Sequence, residues 1–422
     1  VKMFLPIGLS GAHPYPSNPV FEPLPGYFKF LPLGVIIVGI ATWFFGKKNK
    51  VIWFGMLFFL ITVSIVLKFV PVGDTIIAER YTYIPYIGLF IIIGSLANKL
   101  MEKKEYYKMV SYSIIGIVAI LSIVSWQRSM VWENTFTFWN DVSEKYPNYW
   151  RGYNCVGQEY SKMAALAAKN GNEELAKQHY QSALANLTAS CENDKWAPPI
   201  PYMVRGAIYI DNLKDYDKAI ADFKKVISFP NPNDPTQIEA RYNLGLAYIR
   251  TQQFENAVAI LNEGINRNPS NPRGHYFMGL ALAGAKNYTQ AEKAYTQAIN
   301  VNANYIPAYL NRGVLYTDQL NLPNQGIEDF NQVLSRQPQN RDAMINIGIC
   351  LFKLNRSNDA IQQYNNCLKL MPNNGRIFYL RALAFAQNGS FKEAYRDGKK
   401  ASELGIKMNQ AQLNSWKQKA GI

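Results

Sequence analysis

The residues best equipped for chemistry stand together at Glu79, Arg80, Tyr81 and Tyr83, inside the run DTIIAERYTYIP at 74–85. A guanidinium presents a fork of N–H donors that matches the oxygens of a lipid phosphate or pyrophosphate. An ionisable pair at the edge of an apolar stretch is a candidate site when that stretch lies in a membrane. The same residues equally fit an interfacial salt bridge flanked by two anchoring tyrosines, and spacing alone leaves both readings open. A second segment, LPIGLSGAHPYP at 5–16, carries His13 and Tyr15 and is too rich in Pro and Gly to form a helix.

A different chemistry is written further on. Asn243, Asn311 and Asn346 recur at the sixth position of a repeated unit, with Tyr242, Tyr276 and Tyr379 at the fifth. A carboxamide donates to C=O and accepts from N–H, so a row of them can hold a polypeptide backbone without demanding a sequence. The row is interrupted by Val204, Phe277 and Leu380. Asn as a common filler at this position is the competing reading. His13, His179 and His275 lie far apart, and Cys155, Cys191, Cys350 and Cys367 form no CxxC, so no metal pattern emerges. Cys350 and Cys367 occupy small-residue positions of the repeat and read as buried thiols, while Cys155 and Cys191 could pair only in an oxidising compartment. No Gly-rich phosphate loop or nucleophile elbow appears in the repeats. No general base can be nominated in residues 1–130, so the catalytic residues are unknown.

The elements that must position these residues differ sharply between the two ends. Four apolar runs, 28–45, 51–70, 83–100 and 109–126, have about the 20 residues a bilayer-spanning helix needs. Lys47, Lys48 and Lys50 follow the first run, and Lys103, Lys104 and Lys108 follow the third. The loop between the second and third holds Arg80 against Asp74 and Glu79. The positive-inside rule then puts the lysine loops in the cytoplasm, and residues 1–27, the 71–82 loop and everything after Trp126 outside. The chain opens at Val1 in mid-pattern, and we read it as the C-terminal part of a longer protein.

From residue 150 a unit of 34 residues repeats. Gly245, Tyr248, Ala257, Leu261 and Gly264 return as Gly279, Leu282, Ala291, Tyr295 and Ala298, and again around Gly313 and Gly348. This is the spacing of tetratricopeptide (TPR) helical hairpins, whose small residues let helices approach while aromatic and aliphatic ones fill the gaps. The expected organisation is an outward loop at 1–27, four transmembrane helices at 28–130, and a joining helix at 131–149. An array of six to seven repeats follows at 150–403, with a capping helix at 404–422. The net charge of +14 divides evenly between the membrane part and the rest and is not clustered, which argues against nucleic-acid binding.

The wording IIAERYTYIPYIGLFIII, the later Arg128, Trp132, Glu133, Phe136 and Phe138, and the LSGAHPYP loop resemble the transmembrane-and-tetratricopeptide-repeat (TMTC) protein O-mannosyltransferases and their bacterial relatives. The resemblance implies an all-α fold, with the C-terminal transmembrane helices of a GT-C-like membrane domain followed by a TPR superhelix. It implies sugar transfer from a polyprenyl-phosphate donor to Ser/Thr of periplasmic proteins, with Arg80 at the lipid head group and the array recruiting acceptor polypeptide. The row of amides is similar to the asparagine ladder of O-linked N-acetylglucosamine transferase repeats. The catalytic acidic loop of such enzymes has no counterpart in this sequence. The location implied is a multi-pass inner-membrane protein with its repeats in the periplasm, or in the ER lumen of a eukaryote. The alternative is a non-catalytic membrane-anchored TPR scaffold that organises an outward-facing protein complex.

Overall fold

The computed structural model describes residues 13–14, 40, 49–66, 75–77, 83–193 and 197–422. Glu79, Arg80, Tyr81 and Tyr15, and nearly all of the first apolar run, lie outside the described residues. Two short strands, β1 (His13–Pro14) and β2 (Thr75–Ile77), pair antiparallel, with His13 opposite Ile77 and Pro14 opposite Thr75. The pairing brings residues 13–14 beside residues 75–77.

Three apolar helices follow: α1 (Lys50–Val66), α2 (Tyr83–Met101) and α3 (Lys104–Met130). Helix α3 is apolar on every side and buries none of its residues. Among the described residues, its stretch Lys104–Val131 is the one helix long and apolar enough to cross a membrane, and α1 and α2 contain shorter apolar segments. Helices α1 and α2 pack through glycine against glycine. A Cβ on Gly55 would strike the carbonyl of Gly88, and one on Gly88 would strike the carbonyl of Gly55.

Helix α4 (Thr135–Lys145) turns the chain away from α3 through a reciprocal cap. The Asn134 side chain accepts from the Thr137 backbone N–H, and the Asn134 backbone N–H donates to the Thr137 hydroxyl. The hairpin α5 (Trp150–Lys169) and α6 (Glu173–Glu192) then has helices of 20 residues each, since the stretch AALAAK at 164–169 extends α5 instead of forming a loop. Helix α7 (Pro199–Ile208) follows. The chain divides into two compact units, Val1–Asn212 and Leu213–Ile422. The division falls inside the second repeat and not at residues 131 or 150, where composition changes.

The second unit starts with α8 (Tyr216–Ile227) and continues as hairpins: α9 (Pro235–Arg250) with α10 (Phe254–Arg267), α11 (Pro272–Gly284) with α12 (Tyr288–Val301), and α13 (Ile306–Asp318) with α14 (Pro323–Arg336). Helices α15 (Arg341–Lys353), α16 (Ser357–Leu370), α17 (Gly375–Gln387) and α18 (Phe391–Glu403) complete the stack. Most first helices begin the same way. Asp234, Asn271, Asn340 and Asn374 cap backbone N–H groups with their side chains, and Pro235 and Pro272 supply the fixed φ of a first helical turn.

The periodic small residues do what their spacing implies. Gly245 faces Leu261, Gly279 faces Tyr295, Gly313 faces Phe330 and Gly348 faces Tyr364, each too close for a Cβ. Leu261, Tyr295, Phe330 and Tyr364 are consequently sealed in the core. The turn within each of these hairpins closes on one left-handed residue: Gln252, Lys286, Asn321, Asn355 and Gly389, with φ between 52° and 82°. A final helix α19 (Gln410–Lys419) lays Leu413 and Trp416 over the last hairpin, covering the face that a stack of repeats leaves open.

Candidate peptide-binding groove

In the second unit the first helices of successive hairpins touch one another directly, α9 to α11, α11 to α13, α13 to α15 and α15 to α17, while successive second helices do so at most weakly. The tighter side of a curved stack is its inner side, so the first helices line the concave face. Asn243, Asn311 and Asn346 lie on these helices at equivalent turns, but the three amides are not in equivalent states.

Asn243 is almost buried, and its side-chain oxygen accepts from Nη2 of Arg273 on the next first helix. The same guanidinium pairs through Nη1 with Glu239 Oε2 at 2.7 Å and lies 5.1 Å from the Phe277 ring. Glu239 also accepts from the Asn271 amide at 3.2 Å. Asn311 donates to the Tyr276 hydroxyl at 3.2 Å and to the Pro307 carbonyl at 3.0 Å, which leaves its oxygen as the unused half of the amide. Asn346 is half-buried, and no hydrogen bond among the described residues engages its side chain. Availability therefore rises along the array from Asn243 to Asn346.

The tyrosines require a correction. Tyr242 does not add aromatic surface to the groove, because it is completely buried. Its ring fills the space left by Gly264 and Gly274, and its hydroxyl donates to the Gly264 and Asn268 carbonyls, each at 3.2 Å. Burial pushes its pKa up to about 12. Where Tyr242 meets two glycines, the equivalent Tyr276 meets Ala298 and Ala308, so it stands further out. It gathers with Tyr295 at 6.1 Å and Tyr305 at 5.5 Å, ring centroid to ring centroid. Tyr379 is half-buried against the last hairpin and its cap.

Two features escaped the sequence reading. One residue turn beyond each sixth position stands an aliphatic side chain: Leu246, Leu280, Val314, Ile349 and Leu383. None is fully buried, and Val314 is 38% exposed. Residues three apart share a helix face, so the amide row has an apolar row beside it. The signal was present in the sequence as an aliphatic column at a position that the packing only partly covers. The other feature is a pair of internal ion pairs. Arg312 grips Asp329 at 2.9 and 2.7 Å, and Arg381 grips Asp397 at 2.6 and 3.0 Å, each bidentate and mostly hidden from solvent. An Arg directly before the small residue of the first helix, with Asp 16 or 17 residues later, was their signature. They hold hairpins together and do not face the groove amides.

Of the remaining sequence candidates, His13 is placed by its pairing with Ile77, and Tyr83 opens α2. None of the four cysteines forms a disulfide: Cys191, Cys350 and Cys367 are buried, and Cys155 is half-buried with its thiol pushed up to about 11 by desolvation.

Comparison with known proteins bears first on the array. Tetratricopeptide-repeat family patterns match residues 213–281, 272–305, 310–366 and 351–402. The chain carries tetratricopeptide repeats. It is also similar to the protein O-mannosyl-transferase TMTC3 of Homo sapiens, at 21% identity over 331 residues, taking in 77% of this chain and 31% of that protein. The Hsp70-Hsp90 organizing protein 1 of Glycine max is 25% identical over 242 residues, 49% of this chain and 41% of that protein. The chain thus spans about a third of the length of the first relative and under half of the second. A crystal structure of a tetratricopeptide repeat protein from Parabacteroides merdae aligns with 63% of this chain and 99% of its own at 18% identity, with a TM-score of 0.44.

Proposed function

We propose that this chain belongs to a membrane-embedded sugar transferase of the lipid-linked type, and that its array is the arm that holds the polypeptide acceptor. The observation that carries the reading is the extent of the similarity to TMTC3. It takes in 77% of the chain, more than the part from residue 131 onward could supply, so it reaches back into the apolar helices. In this reading α1, α2 and α3 cross a bilayer together with the run at 28–45, as the end of a GT-C-like domain. The lysine loops face the cytoplasm and the repeats face the periplasm or an organelle lumen. Arg80, with Glu79, Tyr81 and Tyr83, meets the phosphate of a polyprenyl-linked sugar, next to the outward loop of His13 and Tyr15. The pairing of β1 with β2 supports this, because one strand comes from each of the two segments. The sugar passes to a Ser/Thr hydroxyl of a polypeptide lying along the concave face. Asn346 and the open oxygen of Asn311 engage its backbone, and the aliphatic column from Leu246 to Leu383 takes its apolar side chains.

Transfer from a polyprenyl-phosphate sugar to an acceptor peptide, measured with the full-length protein, tests the head-group role. Arg80→Ala abolishes transfer if the role is right, and unchanged transfer removes it. For the groove, replacing Asn311 and Asn346 by Ala weakens acceptor binding, whereas Asn243→Ala alone leaves it nearly unchanged, since that amide is already committed.

A second reading is favoured by the plant relative, whose match takes in 49% of the chain, no more than the repeats alone could supply. A membrane-anchored scaffold without catalysis would bind partners through the same concave face. Retention of partner capture together with no transfer by any preparation of the full-length protein would select it.

A further inference from the structure

At the far end of α3 three large side chains stand in the open: Trp126, 68% exposed, Met130, 49%, and Trp132, 50%. Trp126 and Met130 are one helical turn apart and share a face. Trp132 follows on the turn that leaves the helix, its ring 4.7 Å from that of Phe138 on α4. An exposed indole in water is an unfavourable arrangement, yet here two lie within seven residues, continuous with a 27-residue helix that buries nothing. Trp prefers the zone where acyl chains give way to head groups, because its apolar ring and its N–H are satisfied there together.

The same junction is unusually well fixed. Arg128, between the two tryptophans in sequence, holds Asp141 of α4 through both carboxylate oxygens, at 2.8 and 2.9 Å. Lys145 reaches the same carboxylate at 2.6 Å. The Thr137 hydroxyl donates to the Val131 carbonyl at 3.0 Å. A basic residue at a membrane exit is free to meet lipid phosphate, but this one is occupied within the protein. The rim is therefore left to the aromatic side chains, while Arg128 sets the angle at which α4 departs.

We infer that Trp126, Met130 and Trp132 form a collar seated in the head-group zone of a lipid bilayer, with the Arg128–Asp141 clasp as its positioning device. This rests on the proposal that α3 spans the membrane. The bilayer is the occupant to which the continuity with α3 points; a protein partner is the other outcome of the test.

The test uses the full chain reconstituted in phosphatidylcholine vesicles that carry bromine either near the glycerol backbone or near the end of the acyl chain. The contributions of Trp126 and Trp132 are read as the fluorescence lost in Trp126→Phe and Trp132→Phe. An added indole at Ile117→Trp reports the middle of α3. The collar is supported if the Trp126 and Trp132 signals are quenched more by shallow than by deep bromine, while the Ile117→Trp signal shows the reverse order. Deep quenching at position 117 with no quenching at 132 overturns the collar and leaves the span standing, and assigns the exposed rim to a protein partner. No quenching at any of these positions overturns span and collar together. Arg128→Gln with the collar intact retains shallow quenching at 126 but loses it at 132, since the chain beyond the helix is no longer held in place. Unaltered quenching at 132 removes the positioning role.

Discussion

The apolar helices and the repeat hairpins both use glycine to bring helices together, and they use it differently. In the array, the glycine of a first helix receives a large side chain from the second: Leu261, Tyr295, Phe330 or Tyr364. In the pair α1 and α2, glycine receives glycine, carbonyl against backbone. The array is built in water, where burying an aromatic ring is itself the driving force. Helices surrounded by apolar solvent gain nothing from hiding apolar side chains, so they gain by approaching until backbone touches backbone. On the proposal that α1 and α2 lie in a bilayer, the contact style at the glycine follows the solvent of each region.

Substitutions that exploit this contrast separate the two regions. The largest effect is expected where a filling side chain is removed from the array: Phe330→Ala costs about 3–5 kcal/mol through the cavity it leaves, read by urea unfolding of the repeats. Breaking a hidden ion pair is nearly as severe. Arg312→Met strands Asp329 and costs about 3–5 kcal/mol, whereas the double change with Asp329→Leu recovers most of the loss. Overfilling comes next. Gly348→Leu costs roughly 1–3 kcal/mol, because the Tyr364 ring must shift. Gly88→Leu is less easily relieved, since backbone lies on the other side, and it should separate α1 from α2 in a disulfide cross-linking assay between them while leaving the urea transition of the repeats unmoved.

Much of this organisation was legible in the sequence, for one physical reason. Packing in a stack of hairpins is periodic, so small and large residues recur; small residues were expected to let helices approach, and Gly245 meets Leu261 and Gly348 meets Tyr364 in that way. What was not legible depends on residues at other positions of the repeat or outside it. The burial of Tyr242 follows from Gly264 and Gly274, which are not at the column being read. The unequal amides follow from Arg273, which arrives from the next hairpin to occupy Asn243. The meeting of His13 with Ile77 joins segments far apart in the chain, which no local pattern announces.

Smaller effects test the junction and the turns. Burial alone would raise the Asp141 carboxyl, but the hydrogen bonds and charges of Arg128 and Lys145 outweigh it and hold it below 3.8. A depressed carboxylate contributes stability above its unfolded pKa and loses it as pH falls through the folded one. Acidification should therefore loosen the α3–α4 junction in this range, seen as proteolytic cleavage near 131–134, and Asp141→Asn should abolish the dependence. The smallest effect lies in the turns. Lys286→Gly, which relieves a left-handed φ of 62°, should raise stability by up to about 1 kcal/mol once the entropy of glycine is deducted.

The ion pair between Glu239 and Arg273 has a consequence for how such an array can be rearranged. Arg312 with Asp329, and Arg381 with Asp397, each close within one hairpin, so those hairpins could be duplicated, deleted or exchanged and carry their own fastening with them. Glu239 and Arg273 belong to different hairpins. Swapping either one for another repeat leaves a charge without its counterpart. That link works as a key between two modules, as does Asp318 with Lys353 at 2.8 Å, and each gives its own junction a fixed order.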